Sequence, residues 1–124
     1  MKCPKCRSSM EHVINPIADY EQCTNCKGLW LDMFEYEELK PVANEIDTGD
    51  PALGRDYNEK KDVYCPVCSN NKLLRMVDAR QPHIWFEQCS TCKGRFYDAG
   101  EFKDVSEEYT VSDFFKDLFA KERP

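Results

Sequence analysis

Four C-x-x-C pairs constrain the fold of this chain more than any other feature of its sequence. They read "CPKC", "CTNC", "CPVC" and "CSTC", with 16 residues between the first two pairs and 20 between the last two. Two cysteine pairs separated by a gap of this length are the pattern of a four-thiolate zinc site. In such a site a β-hairpin brings two cysteine loops together around one tetrahedral ion. The predicted ligands are Cys3, Cys6, Cys23 and Cys26 in site 1, and Cys65, Cys68, Cys89 and Cys92 in site 2.

Other uses of these cysteines fit the sequence less well. Disulfides are rare in the reducing cytoplasm, and a thioredoxin-like motif would need a βαβ context that the sequence lacks. Iron in a rubredoxin-like site stays open as an alternative, because four thiolates suit either metal. Neither histidine, His12 or His83, lies at ligand spacing from a cysteine. Both are therefore expected on hairpin surfaces.

The composition indicates a small protein that depends on metal for its core. The chain has 124 residues, of which 41% are hydrophobic and 32% charged, so burial alone would give a thin core. Its first residues hold a cysteine pair and no apolar run, and nowhere do about 18 apolar residues follow one another. We therefore expect no signal peptide, no membrane span and a cytoplasmic location.

The two halves of the chain are tandem copies. "EQCTNCKG" in the first half matches "EQCSTCKG" in the second, and "CKGLWLD" at residues 26–32 matches "CKGRFYD" at residues 92–98. The second hairpin is longer by four residues. If two of these residues were added to each strand, the inward and outward faces of both strands would be unchanged, so the extension need not disturb the metal site.

Each half resembles the zinc ribbon of the transcription-factor zinc-finger family, named after the N-terminal ribbon of transcription factor IIB. The family pattern is a C-P-x-C pair, a hairpin, then C-x-x-C-x-G-x-W-x-D-x-x-E. Residues 3–40 fit it well, and residues 65–105 fit it less closely, with Phe96 in place of Trp30. The resemblance implies a ribbon fold and a bound metal in each half. It implies little about activity, because a fold alone does not determine function.

Four positions depart from this resemblance. The family often has glycine directly after each cysteine pair, where the backbone needs a positive φ. This chain has other residues there, so we expect turns that are altered or strained. The positions are Arg7, Lys27, Ser69 and Lys93.

The motifs "DMFE" and "DAGE" predict helix starts. Asp32 and Asp98 would be N-caps, each paired with a glutamate three residues later in a capping box. The predicted helices run over residues 33–40 and about 99–105. The alternative is that these carboxylates serve acid–base chemistry or a third metal, but no other catalytic group accompanies them.

The sequence predicts a small metal-stabilised α+β protein made of two tandem zinc ribbons, each a β-hairpin plus a short helix, and a C-terminal amphipathic helix. The ranges are ribbon 1 at 1–40, an acidic linker at 41–63, ribbon 2 at 64–108 and the amphipathic helix at 109–124. The length of the linker would let the two ribbons move independently unless something docks them against each other.

Apolar side chains outside the ribbon cores are the predicted contacts to partners. The terminal helix would present an apolar stripe that either packs on the chain's own ribbons or docks on another protein or a second copy. Trp30 and Leu31 either pad the metal site or form a patch for a partner. The candidate partner-binding residues are Trp30, Leu31, Trp85, Phe114, Phe115, Leu118 and Phe119.

Charge bears on the partner class. The formal charge is −6, and each four-thiolate zinc centre adds two negative charges, giving −10 for the loaded chain. This disfavours nonspecific nucleic-acid binding, although residues 64–97 carry a local positive excess with Trp85 and Phe86 nearby. The basic residues there are Lys72, Arg75, Arg80, Lys93 and Arg95.

Three functions follow in order of preference. The first is a noncatalytic adaptor with two Zn²⁺ that binds a protein partner or itself through the ribbons and the terminal helix. The second is a nucleic-acid-binding or transcription-associated ribbon protein. The third is an iron-binding electron carrier. An enzyme is not expected, because two closed four-cysteine sites leave no open position on the metal for substrate or water.

Overall fold

The computed structural model describes residues 1–68, 70–78, 84–106 and 121–123. Within them the chain is a small α+β protein, as predicted, with one antiparallel sheet and short helical segments. The strands are β1 (Met10–Val13), β2 (Tyr20–Cys23), β3 (Leu29–Leu31), β4 (Leu74–Val77), β5 (Trp85–Gln88), β6 (Arg95–Tyr97) and β7 (Lys121–Glu122). The helices are α1 (Glu35–Leu39), α2 (Ala43–Ile46) and α3 (Pro51–Asn58), with 3-10 helices at Lys40–Val42 and Phe102–Ser106.

One continuous sheet contains both ribbons. Its strand order is β1-β2-β3-β6-β5-β4-β7, so β3 of ribbon 1 pairs directly with β6 of ribbon 2. In this pairing Leu29 lies opposite Tyr97, and Trp30 lies opposite Phe96. Because Trp30 and Phe96 hold the same position in the two copies, the pairing has a local two-fold axis between them. The pairing of β3 with β6 therefore docks the two ribbons, and they do not move independently.

Two glycines allow this close pairing. A Cβ atom built on Gly28 would lie 2.3 Å from the ring of Phe96, and one built on Gly94 would lie 2.4 Å from the ring of Trp30. Each aromatic side chain thus lies against the glycine of the other ribbon. Any larger residue at either glycine would push the two ribbons apart.

The sheet has a different core on each face. One face packs the helical segments against Leu29, Leu31 and Tyr97. The other face holds all eight cysteines in one cluster, with Trp30 and Phe96 among them. Both predicted metal sites therefore share a single apolar cluster.

Residues 41–63 are not a loose linker. They include α2 and α3, and the Asp50 side chain accepts a hydrogen bond from Ala52 N (2.9 Å) at the start of α3. The buried Asp47 carboxylate accepts bonds from Gly100 N (3.0 Å) and Lys103 N (2.9 Å) of ribbon 2. The segment therefore joins the two ribbons through specific contacts, which the sequence reading missed because these partners lie far apart in the chain.

The four extra residues of ribbon 2 are not inserted symmetrically. Cys3 N donates to Ser8 O (2.7 Å), whereas Cys65 N donates to Asn71 O (2.8 Å), so the first cysteine turn of ribbon 2 has one additional residue. The strands from this point keep the same register relative to the second cysteine pair. The other three residues lie at the loop end of the hairpin, where they do not affect the pairing near the cysteines.

The turns after the cysteine pairs have the positive φ that glycine would adopt without strain, although none of these positions is a glycine. Arg7 has φ 67°, Lys27 has φ 63° and Lys93 has φ 64°. Ser69 lies outside the described residues, and its neighbour Asn70 has φ 62°. Non-glycine residues are strained in this region, and asparagine tolerates it better than most.

The predicted helix at 109–124 falls mainly outside the described residues. Phe114, Phe115, Leu118 and Phe119 all lie in the segment 107–120, which the structure does not describe. Lys121–Glu122 form strand β7, which pairs with Met76 and Val77 of β4. None of the described helices is long and apolar enough to cross a membrane.

The contact between Gly28 and Phe96 predicts the effect of substitution at the two-fold axis. Gly28→Ala places a methyl group against the Phe96 ring and should lower the free energy of unfolding by about 1–3 kcal/mol. Combining it with Phe96→Leu, which removes the ring, should cost less than the sum of the single changes. Denaturant unfolding of the four proteins measures the coupling, and simple additivity would contradict the contact.

Candidate metal centres

Each ribbon gathers four cysteine sulfurs into a group of the size that zinc requires. In both groups all four Sγ atoms lie within 4.8 Å of one another. The Sγ–Sγ distances include 3.8 Å for Cys3 and Cys26 and 3.8 Å for Cys65 and Cys92. Zinc–sulfur bonds of about 2.3 Å in a tetrahedron place sulfurs about 3.8 Å apart. The donor sets are therefore compatible with two zinc ions.

The groups are local to each ribbon. Cys3, Cys6, Cys23 and Cys26 form one, and Cys65, Cys68, Cys89 and Cys92 form the other. No group mixes cysteines from the two ribbons, as a cross-braced arrangement would require. The sequence spacing predicted these same two sets.

Backbone N–H groups point at the sulfurs. Cys26 N lies 3.4 Å from Cys23 Sγ, and Cys68 N lies 3.2 Å from Cys65 Sγ. In ribbon 2 the longer turn adds a side-chain donor, because Asn71 Nδ2 lies 2.8 Å from Cys89 Sγ. Such donors favour the thiolate form that binds metal.

The pKa values of the thiols follow from these contacts. The hydrogen bond with Cys26 lowers the pKa of Cys3 to about 5. Burial raises the pKa of Cys89, but the backbone N–H groups of Cys92 and Thr91 outweigh it and lower the pKa to about 6. In each group these hydrogen bonds favour the thiolate form of one sulfur, which is the form that binds zinc.

The donor sets are those of structural zinc sites. Four thiolates fill the tetrahedron and leave no position for water or substrate. Among the described residues these two groups are the only clusters of histidine, cysteine and carboxylate side chains with metal-binding spacing. His12 is exposed and lies 2.6 Å from Glu21 Oε1 and 3.2 Å from Asp19 Oδ2. His83 lies outside the described residues.

A buried lysine connects the first cysteine turn to ribbon 2. Lys5, between Cys3 and Cys6, has a side chain with 0% exposure. Its Nζ donates to Asp98 Oδ2 (2.5 Å) and to Tyr57 O (2.9 Å), and it forms an ion pair with Glu87. Buried charges are stable only when paired, so this contact set fixes the orientation of ribbon 1 against ribbon 2.

Asp32 has the predicted capping role. Its Oδ1 accepts bonds from Phe34 N (3.0 Å) and Glu35 N (2.9 Å), and Glu35 Oε2 accepts a bond from Asp32 N (2.7 Å). This is a reciprocal capping box. The predicted helix over residues 33–40 corresponds to α1, which ends at Leu39, and the 3-10 helix Lys40–Val42 and α2 follow it as separate segments.

The same prediction is wrong for Asp98. Its side chain is buried and pairs with Lys5, and burial raises its pKa to about 7 although the Lys5 ammonium opposes this shift. Glu101 accepts bonds from Asn58 Nδ2 (2.7 Å) and Trp85 N (3.0 Å) instead of closing a capping box. The Asp47 carboxylate, and not that of Asp98, accepts hydrogen bonds from the N–H groups near the start of the 3-10 helix Phe102–Ser106. Identical local motifs thus have different roles, because only Asp98 meets a buried lysine.

The structure places three of the candidate partner-binding residues inside the molecule or against it. Trp30 and Leu31 are buried in the two cores, which agrees with the padding interpretation. Trp85 is half-buried, with the Arg123 guanidinium 4.5 Å above its ring. These three side chains therefore support the ribbon pair and do not form an exposed patch.

The fold does not place all the basic residues predicted for ribbon 2 on one exposed face. Arg95 is buried, and its guanidinium lies 3.9 Å from the ring of Tyr36 and 4.2 Å from that of Phe86. Arg80 lies outside the described residues. Lys72 and Arg75 remain on the surface of ribbon 2, beside residues of the preceding segment.

Comparison with known families agrees with the site geometry. Residues 2–41 match the transcription factor zinc-finger family, in its TFIIB-type zinc ribbon model. The four-cysteine group at 65–92 fits a second copy of this ribbon. Zinc ribbons bind zinc, so the match and the two sulfur groups together support two zinc ions. No curated protein and no solved structure matched the chain.

The two sulfur groups predict the metal content. Purified protein should contain two zinc ions per chain and be colourless, since Zn²⁺ has a filled d shell. Elemental analysis together with a visible spectrum measures both properties. One metal per chain, or the absorption of an iron–thiolate centre, would contradict this assignment.

Asp32 and Asp98 form a matched pair for mutation. Asp32→Ala removes a cap and should cost about 1 kcal/mol of unfolding free energy. Asp98→Ala leaves the buried Lys5 ammonium without one of its partners and should cost about 3–5 kcal/mol. Zinc content should stay at two in both variants that fold. Equal losses in denaturant unfolding would contradict the different roles of the two aspartates.

Proposed function

We propose that this chain is a noncatalytic zinc-stabilised adaptor that binds a partner protein. The metal-binding ribbon fold and the two complete four-thiolate donor sets support a structural use of the metal. All eight cysteines are free of disulfides, which suits a reducing, cytoplasmic location. The adaptor proposal rests on one difference between the two ribbons. A helix covers one of two places that are related by the two-fold axis, and the other place is exposed.

Helix α3 covers one of two equivalent places on the molecule. It packs where the first cysteine turn of ribbon 1 meets the end of β6, with Tyr57 O bound to Lys5 and Gly54 against Ala99. The local two-fold axis relates this place to the first cysteine turn of ribbon 2 and the end of β3. There Val67 holds the position equivalent to Lys5, and Met33 and Phe34 follow β3.

The equivalent place exposes apolar side chains. Phe34 is 66% exposed, Val67 is 57% exposed and Met33 is 39% exposed. We name these three residues the Phe34 surface. We infer from the two-fold relation that the three side chains lie close together, and exposed apolar side chains with acidic neighbours, here Asp32 and Glu35, are typical of interaction sites.

The proposed occupant is an amphipathic helix of a partner protein. The argument is the two-fold relation, because a helix already packs in the equivalent place with Leu53 and Tyr57 against the cysteine cluster. The exchange of Lys5 for Val67 makes the second place more apolar, and the acidic neighbours favour basic residues on the flanks of the partner helix. The predicted terminal helix with Phe114, Phe115, Leu118 and Phe119 is the second proposed contact to a partner.

The test uses the full-length, zinc-loaded chain. A partner is isolated by affinity capture, produced in pure form and titrated against the wild type and the Phe34→Glu and Val67→Glu variants. Each variant should weaken binding at least about tenfold, which corresponds to about 1.4 kcal/mol. Ala52→Glu is the matched control, because it adds the same charge at an exposed position on α3.

Three results would overturn the adaptor proposal. Equal affinity of the purified partner for the wild type and the Phe34 variant would exclude this surface. A wild-type dimer that Phe34→Glu converts to a monomer would make a second copy the occupant. Amide shifts in residues 107–120 on the same substitution, without any partner, would make the chain's own segment the occupant. Substitutions are preferred to truncation, because Arg123 contacts Glu87 and β7 pairs with β4.

A further inference from the structure

A small basic cavity lies between ribbon 2 and the end of the segment that precedes it. Its volume is about 220 Å³. Residues 41–63 have an acidic composition, yet folding places Lys60 and Lys61 beside Lys72 and Arg75 of ribbon 2. The cavity is lined by Lys60, Lys61, Asp62, Val63, Lys72, Leu73, Arg75 and Glu87.

Positive charge is in excess around this cavity. Of its two carboxylates, Asp62 pairs with Lys72 at 2.5 Å and Glu87 forms its ion pair with Lys5. Lys61 is exposed, and the Arg75 guanidinium reaches its nearest carboxylate, that of Glu59, only at 3.8 Å. A concave surface with uncancelled positive charge attracts anions even on a protein whose total charge is negative.

Arg75 in β4 and Arg123 directly after β7 each have a buried donor atom without a partner among the described residues. Arg75 Nε is buried without a hydrogen-bond acceptor among the described residues. Arg123 lies directly beside it, since Arg123 N donates to Arg75 O (2.7 Å), and its side chain is only 5% exposed. Its Nε and Nη1 also have no acceptor in the described part of the chain. The Arg75 side chain lines the cavity and is 26% exposed, and guanidinium groups bind phosphate oxygens well.

An exposed aromatic ring adjoins the cavity. Tyr64 follows the lining residue Val63, pairs with Lys72 across an antiparallel bridge and is 50% exposed. Basic side chains next to an exposed aromatic ring are the combination that binds single-stranded nucleic acid, because the cations hold the phosphate and the ring stacks on a base. The cavity is smaller than the roughly 300–1,000 Å³ of sites that enclose a drug-sized ligand. It therefore suits a single phosphate group with the attached base outside.

We propose that this cavity binds the phosphate of a nucleotide unit, with the base stacked on Tyr64, and that the unit belongs to a single strand or to a free nucleotide. Phosphate contacts from Lys61, Lys72 and Arg75 supply the attraction. The negative charge of the whole chain opposes it, so binding is weak and falls steeply with salt. The site does not include the Phe34 surface, and it stands or falls independently of the adaptor proposal.

The test compares three probes on the full-length, zinc-loaded protein at about 50 mM salt. The probes are inorganic phosphate, adenosine monophosphate and a ten-nucleotide thymidine strand, each followed by amide chemical shifts. Shifts should centre on residues 60–64 and 72–75 for all three probes. Tighter binding of the strand than of the mononucleotide identifies a strand as the source, and equal binding identifies a free nucleotide.

Two variants and one control distinguish the phosphate contact from the base contact. Lys61→Gln should weaken all three probes about threefold to tenfold. Tyr64→Ala should weaken the strand and the mononucleotide about tenfold and leave inorganic phosphate unchanged. Lys2→Gln removes an equally exposed lysine from ribbon 1 and should change nothing.

The proposal has clear contrary results. Absence of binding at low salt, or shifts away from the cavity, would exclude a phosphate site. Equal effects of Lys61→Gln and Lys2→Gln would show general charge attraction. Unchanged strand and mononucleotide binding in Tyr64→Ala would show that no base stacks on Tyr64. This result would contradict the assignment to nucleotides.

Discussion

The pairing of β3 with β6 is the contact on which the rest of this structure depends. It brings Trp30 onto Gly94 and Phe96 onto Gly28, and so converts two thin metal-bound hairpins into one sheet. A single ribbon of about 40 residues buries too little apolar surface to be stable without support. Metal ions fix each hairpin locally, while the pairing gives both a common core on each face of the sheet.

Buried charged contacts hold the two ribbons and the middle segment together. Lys5 reaches from the first cysteine turn to Asp98, and Asp47 reaches from the middle segment to the backbone of ribbon 2. Both are buried charged groups, which need specific partners and therefore select one arrangement of the two ribbons. Val67 is exposed, whereas its counterpart Lys5 is covered, so the two equivalent places differ in chemistry.

Sequence reading succeeded where the signal was local. The cysteine spacing predicted both sulfur groups, and the Asp32–Glu35 spacing predicted a capping box, because each partner lies within one hairpin or one helical turn. It failed for contacts between distant positions. Nothing near Lys5 in the sequence indicates Asp98, 93 residues away, and Asp98 has the same local motif as Asp32. The β3–β6 pairing was hidden for a similar reason, since the sequence predicts that Trp30 and Leu31 either pad the metal site or contact a partner, and nothing in the local sequence indicates β6 as the neighbour of β3.

The two-fold relation between the copies also bears on how the chain reaches this arrangement. A self-complementary edge cannot distinguish the β6 of its own chain from that of a neighbour, so two molecules at high concentration are able to exchange halves and close the same contacts between chains. The segment with α2 and α3 opposes this exchange, because its docking through Asp47 keeps the two halves at a high effective concentration. The docked middle segment thus favours pairing of β3 with the β6 of the same chain.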